Sequence, residues 1–99
     1  MSEDAMGVPA CYNTTLTSAN TEYSQALPAM TRYISVQNRS SNPLRISFTT
    51  GKVATPTAPF WTIKAGAAYN SPVDIKATGL TLYMASPNAG DIAEIEAWT

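Results

Sequence analysis

The sequence predicts a single all-β domain, a β-sandwich or jelly-roll-like arrangement of about seven or eight short antiparallel strands. Three observations lead to this fold class. Apolar residues recur at every second position in short runs, turn-forming residues separate these runs, and no window has the spacing of a capped amphipathic helix. The chain of 99 residues has the size of one domain, divided into a flexible N-terminal arm (residues 1–13) and a strand-rich domain (residues 14–99).

The predicted arm, residues 1–13, contains Gly7 and Pro9 and shows little periodicity. Such segments become ordered when they lie on a partner. The start of the chain carries Glu3 and Asp4 and no apolar run, unlike a signal peptide, and no stretch approaches the roughly 20 apolar residues that cross a bilayer. We therefore expect a soluble protein that is made in a cytoplasm.

The first two strands are predicted over residues 14–18 and 21–27. The second run places Tyr23, Gln25 and Leu27 on one face and ends before a proline, which cannot donate a ladder hydrogen bond. Both runs are short and rich in residues that favour strands. They form the beginning of the predicted sandwich.

The clearest signal is a predicted antiparallel hairpin over residues 30–49. Residues 30–37 place Ile34 and Val36 on one side, and residues 38–43 are rich in turn formers. The next run repeats the alternation, with apolar side chains at Leu44, Ile46 and Phe48. A hairpin lets both apolar sets face the same core.

The second half of the chain predicts a loop followed by short strands. Residues 52–59 contain two prolines, so this segment is expected to be a loop or an irregular edge. The predicted strands then cover residues 60–64, a short run around Val73 and Ile75, residues 80–85 and residues 92–98. In the last strand Ala93, Ile95 and Ala97 share one face, and Glu94 and Glu96 share the other.

The composition argues against most enzymes. The chain has no histidine, the commonest general base and a common metal ligand, and its single Cys11 therefore has no imidazole to activate it. No glycine-rich phosphate loop is present, and the six basic residues are spread singly. We predict no catalytic residue, no cofactor, no metal, and no nucleic-acid or membrane partner.

Two features offer alternatives to a purely structural interpretation. Glu94 and Glu96 point the same way, as an acid and base pair could, although a solvated face that discourages edge pairing fits better. Aromatic residues on strands usually pack on their neighbours, but they could also form a platform for sugars. The candidate platform residues are Tyr33, Trp61, Tyr83 and Trp98.

Charged residues make up only 13% of the chain, about half the usual share, and the formal net charge is −1. A surface with so little charge repels partners weakly, so we expect contacts with other proteins. The predicted contact residues are apolar or aromatic side chains in segments expected to be exposed: Val8, Pro9, Cys11, Tyr12, Phe60 and Trp98.

From Tyr23 onward the chain carries a series of short strand and turn motifs: Leu27-Pro28, the segment RYISVQNRS at residues 32–40, Ile63-Lys64-Ala65-Gly66, Leu82-Tyr83, and Ala89-Gly90 before the last strand. In these motifs the chain resembles a loose group of small bacteriophage virion proteins. The resemblance implies a β-sandwich that decorates or cements a phage capsid, or lies in a head fibre or neck, commonly as a symmetric oligomer. The group has no catalytic residues to transfer.

We therefore expect a non-enzymatic virion protein that associates with itself, as a homodimer or homotrimer, and with the major capsid protein or another virion protein. A carbohydrate-binding or tail-fibre adhesion module is the alternative, with Trp61, Tyr83 or Trp98 as the stacking surface and Glu94 or Asp91 bonding sugar hydroxyls. The expected location is the virion, after synthesis in the host cytoplasm.

Overall fold

The computed structural model describes residues 10–29, 31–71 and 80–98. These residues form eight β-strands and no helix, which confirms the all-β prediction. The strands are β1 (Ala10–Leu16), β2 (Tyr23–Ala26), β3 (Tyr33–Asn38), β4 (Leu44–Ser47), β5 (Trp61–Ile63), β6 (Ala68–Asn70), β7 (Thr81–Ala85) and β8 (Asp91–Trp98).

The strands form two four-stranded antiparallel sheets. Sheet A has the order β1-β8-β3-β6, and sheet B has the order β2-β7-β4-β5. The buried apolar cluster draws on both sheets, so the core lies between them. Its fully buried members include Leu16, Val36 and Ile95 from sheet A and Ile46 and Met84 from sheet B. This arrangement agrees with the two-sheet architecture expected from the alternating runs.

Strand β8 shows why the pattern folds this way. Ala93, Ile95 and Ala97 are buried, whereas the residues between them lie on the outer face. The strand begins at the buried Asp91, whose carboxylate accepts hydrogen bonds from the Ser86 hydroxyl and the Asn42 amide. Asp91 therefore fixes the turn before β8.

The predicted hairpin over residues 30–49 is wrong. Strand β3 pairs with β8 and β6 in sheet A, whereas β4 pairs with β7 and β5 in sheet B. The connection between β3 and β4 therefore crosses from one sheet to the other. Two strands in opposite sheets direct their apolar faces toward one core just as two strands of a hairpin do, so periodicity does not distinguish the two cases.

Asn38 at the end of β3 organises this crossing. Its side chain is fully buried, and its amide donates hydrogen bonds to the carbonyl oxygens of Asn42 at 2.6 Å and Ile63 at 3.0 Å. Its side-chain oxygen accepts a bond from the Ser40 backbone N–H at 3.1 Å. The polar loop is thus bonded both to itself and to β5 of the other sheet.

The long loop between β4 and β5 covers the outer side of β4. All four residues of β4 are buried, although only alternate ones face the core. On the outer side, the Ser47 hydroxyl donates to the Pro59 carbonyl at 3.0 Å, and Arg45 lies beneath the fully buried Val53. Residues 52–59 contain no strand, as predicted, and the loop closes one face of sheet B.

The predicted arm over residues 1–13 extends too far. Residues 10–13 belong to β1 and pair with residues 94–97 of β8. Ala10 and Tyr12 pack against the core but are only partly buried, so the arm prediction missed the beginning of a strand whose fully buried residue, Leu16, lies at its end. Strand β6 was not predicted either, because its three residues are too few to show a period. The predicted strand around Val73 and Ile75 lies outside the described residues.

Candidate functional site

Sheet A presents an open outer face on which polar side chains form ordered rows. One row across the sheet consists of Cys11, Glu96, Ser35 and Asn70, and the next of Asn13, Glu94, Gln37 and Ala68. Most of these residues are exposed, and no described loop covers them in the way that the long loop covers β4 in sheet B. The outer face of sheet A is therefore a candidate interaction surface.

A shallow depression of about 240 Å³ lies in the middle of this face. It is lined by Cys11, Asn13, Ser35, Gln37, Glu94, Ile95 and Glu96. Both carboxylates are already engaged: Glu94 forms an ion pair with Arg39 at 3.3 Å, and Glu96 accepts a bond from the Trp98 indole N–H at 3.2 Å. Such exposed pairing is typical of a solvated face and differs from the converging acid and base of a glycosidase.

The predicted aromatic platform is divided between separate places. Tyr33 and Trp98 are cross-strand partners on the outer face of sheet A, with 44% and 37% of their surfaces exposed. Trp61 belongs to β5 in sheet B and contacts the rings of Phe48 and Tyr69, with centroid distances of 6.1 and 5.7 Å. Because Tyr69 belongs to β6 of sheet A, Trp61 bridges the edges of the two sheets.

The edges of the sheets share a second property. Among the described residues, β1 and β6 are the edge strands of sheet A, and β2 and β5 are those of sheet B. None of these four strands contains a charged residue or a proline. Natural sheets usually protect their edges with charges, prolines, bulges or short strands. Strands β2, β5 and β6 are short, but β1 has seven residues.

The buried guanidinium of Arg45 is part of the scaffold rather than of a site. Arg45 is 8% exposed, and its Nε donates to the Val53 carbonyl at 2.7 Å. Its terminal nitrogen donates to the Asn20 side chain at 3.1 Å and the Ala54 carbonyl at 3.3 Å. Burial lowers the pKa of the Arg45 guanidinium from its ordinary value. These neutral acceptors hold the long loop in place.

The predicted contact residues fall in different surroundings. Val8 and Pro9 lie outside the described residues. Cys11 is exposed on the outer face of β1, whereas Tyr12 is half-buried and packs against the core. Phe60 is partly buried just before β5, and Trp98 lies beside Tyr33 on sheet A. Of the four predicted contact residues that the structure describes, only Cys11 and Trp98 share a surface, and their contacts with partners stay predictions.

Sequence reasoning missed the outward residues Asn13 and Thr15 on the edge strand. A signal for them was present, because residues 5–21 carry no charged side chain. This signal indicates a contact surface only if the segment lies at the edge of a sheet, because a lack of charge leaves an edge strand open to pairing with other strands. The order in which strands pair is not readable from periodicity alone.

No family model and no curated protein matches the chain. One solved structure does, and it is described as "Bacillus endospore appendages form a novel family of disulfide-linked pili". The match covers 93% of this chain and 85% of the other, with 17% identity and a TM-score of 0.50. At this low identity the likeness concerns the fold alone: this chain is similar in architecture to a pilus protein.

Proposed function

We propose that the protein is a non-enzymatic structural subunit that acts through protein–protein contacts and associates with itself. The observation that carries this proposal is the edge strand β1, which has seven residues and contains no charge or proline; the other described edge strands also lack charge and proline but are short. Unprotected edges pair readily with other strands. A protein with such edges either aggregates or uses them in an ordered assembly, and the low net charge of −1 favours association further.

The proposed fold is a jelly roll. Its support is the strand order β1-β8-β3-β6 facing β2-β7-β4-β5, in which successive strands mostly alternate between two four-stranded sheets. The resemblance to virion proteins implies a β-sandwich, and the fold of the solved pilus protein is similar to that of this chain. Rigid modules of this kind suit repetitive assembly because their loops and edges stay in fixed positions.

The proposed setting is a bacteriophage virion, where the protein decorates or cements the capsid after synthesis in the host cytoplasm. Its support is the sequence resemblance from Tyr23 onward, carried by the segment at residues 32–40 and the later turn motifs. In this setting the major capsid protein is the second partner. Closed symmetric oligomers are the expected form, because decoration proteins must match local capsid symmetry.

An appendage is the second candidate setting, favoured by the pilus-like fold of the solved structure. In that case the contact between subunits would be heterologous and would generate an open filament. The solved pili are described as disulfide-linked. This chain has only Cys11, and one cysteine per subunit can link two subunits but cannot join a continuous row. A filament of this chain would therefore be held mainly by non-covalent contacts.

Light scattering after size exclusion, combined with electron microscopy of the full chain, tests the proposal. We expect a defined dimer or trimer whose fraction increases as the protein concentration is raised to about 1 mM. Closed oligomers that bind purified capsids support the virion setting, and regular filaments support the appendage. A strict monomer over this range, with no binding to capsids, contradicts the structural proposal.

One specific observation favours a carbohydrate-binding role. Tyr33 and Trp98 are exposed side by side, next to a depression lined by polar side chains. Sugars bind to such combinations of aromatic faces and hydrogen-bonding groups. A glycan array separates the two roles: saturable binding that is lost in Trp98→Ala supports adhesion, and no binding to any glycan rejects it.

A further inference from the structure

We propose that two copies of the chain join their β1 strands antiparallel, about a two-fold axis through Asn13, so that sheet A continues from one copy into the other. This inference rests on the proposed self-association and names the surface that carries it. It concerns the edge of sheet A and is independent of the capsid or filament in which the pair would be placed.

Strand β1 is the longest described edge. It has seven residues, and in the described part of the chain it pairs only with β8. One of its two sides therefore offers backbone N–H and C=O groups that take no part in the ladder. A second strand would satisfy these groups. The strand contains no charge, proline or glycine that would oppose such pairing.

Full overlap of two β1 strands fixes the register. Asn13 is the central residue of Ala10–Leu16, so it lies opposite its own copy, and Cys11 lies opposite Thr15. This register keeps the alternation of faces: exposed residues meet exposed residues, and Tyr12 meets Thr14 on the inner side. A register shifted by one residue would place outer side chains against inner ones.

The chemistry of β1 favours a second copy as its partner. A carboxamide both donates and accepts hydrogen bonds, so Asn13 is complementary to itself across the axis. The two β1 strands contain no charges that could repel each other. The nearest carboxylates are Glu94 of each copy, which would be three strand spacings apart, about 14 Å. This distance exceeds the Debye length of about 8 Å, so their repulsion is largely screened. An identical strand also offers the same length, so that all seven residues pair.

The outer face supplies a matched pair of variants for the test. Asn13 and Gln37 flank Glu94 in the same row of sheet A, but Asn13 lies on the edge strand and Gln37 on the interior strand β3. Asn13→Lys places two ammonium groups opposite each other in the proposed pair, whereas Gln37→Lys adds the same charge away from it. Each new lysine is equally close to Glu94 within its own copy.

Sedimentation equilibrium of the full chain measures the effect. We expect Asn13→Lys to weaken the association constant by about tenfold or more, and Gln37→Lys to change it by less than about threefold. Equal effects of both lysines on a self-associating protein would overturn the β1 pairing and leave the proposed function standing. A wild-type chain that stays monomeric overturns the β1 pairing together with the proposed self-association.

Disulfide trapping is a second test, which detects the proposed pair directly and does not depend on weakening the association. In a Cys11→Ser background, Asn13→Cys brings two thiols opposite each other, and oxidation should yield a covalent dimer. Gln37→Cys in the same background is the control and should form no covalent dimer. The native Cys11 should not link the same pair, since its two copies would be about 14 Å apart. Failure of the Asn13→Cys variant to form a covalent dimer, while it still self-associates, rejects this register.

Discussion

At the scale of single residues, Arg45 shows how one buried cation positions a long loop. The guanidinium lies on the outer side of β4 and donates to the carbonyls of Val53 and Ala54 and to Asn20. A second link comes from Glu22, whose carboxylate accepts from the Thr50 hydroxyl at 2.7 Å and the Gly51 N–H at 2.8 Å. The loop thereby covers one face of sheet B, whereas no loop in the described part of the chain covers the outer face of sheet A.

We predict that Arg45→Met lowers the free energy of unfolding by roughly 2–4 kcal/mol, because the loop carbonyls lose their charged donor while they remain largely buried. Arg39→Met is the matched control. Arg39 is 56% exposed and forms only a surface ion pair with Glu94, so its loss should cost less than about 1 kcal/mol. Urea denaturation of both variants measures the difference, and similar losses would show that the loop does not depend on Arg45.

At the scale of strands, the sequence predicted most of the extended segments, but it missed β6 and the beginning of β1 and did not show which strands pair. The alternation in β3, β4, β7 and β8 was interpreted correctly because each has a regular apolar face. The hairpin prediction was wrong because two strands can turn their apolar faces toward one core from opposite sheets as well as from the same sheet. The clue to the crossing is Asn38, whose buried amide bonds β5, and that contact depends on tertiary structure.

The start of β1 gives a prediction about truncation. Removing residues 1–12 deletes Ala10, Cys11 and Tyr12 and their pairing with β8, so we expect a loss of roughly 2–4 kcal/mol from broken ladder bonds and lost packing of Tyr12. Removing residues 1–9 keeps all of β1 and its pairing with β8, so this shorter truncation is the control. Thermal unfolding of the two truncated chains makes the comparison; equal stabilities would mean that residues 10–12 do not contribute to the sheet.

At the scale of the whole molecule, the proposed function rests more on composition than on any motif. The absence of histidine and the scarcity of charge pointed to contacts rather than catalysis before any strand was placed. The sequence does not show that the uncharged segments lie at the edges of the sheets. In central strands the same residues would not leave an edge unprotected. The strand order shows where the charged residues lie: those of β8 and β4 are in central strands, and the described edge strands contain none.

This distribution of charge predicts how self-association responds to salt. Contacts between uncharged edges depend on backbone hydrogen bonds and packing, so the wild-type association constant should change by less than about threefold between roughly 50 and 500 mM salt. Asn13→Lys should behave differently, since salt screens the repulsion between its opposed ammonium groups, and its association should strengthen as salt is added. Sedimentation equilibrium at several salt concentrations measures both responses. A wild-type constant that falls more than about tenfold would mean that charged contacts outside the edge strands hold the assembly together.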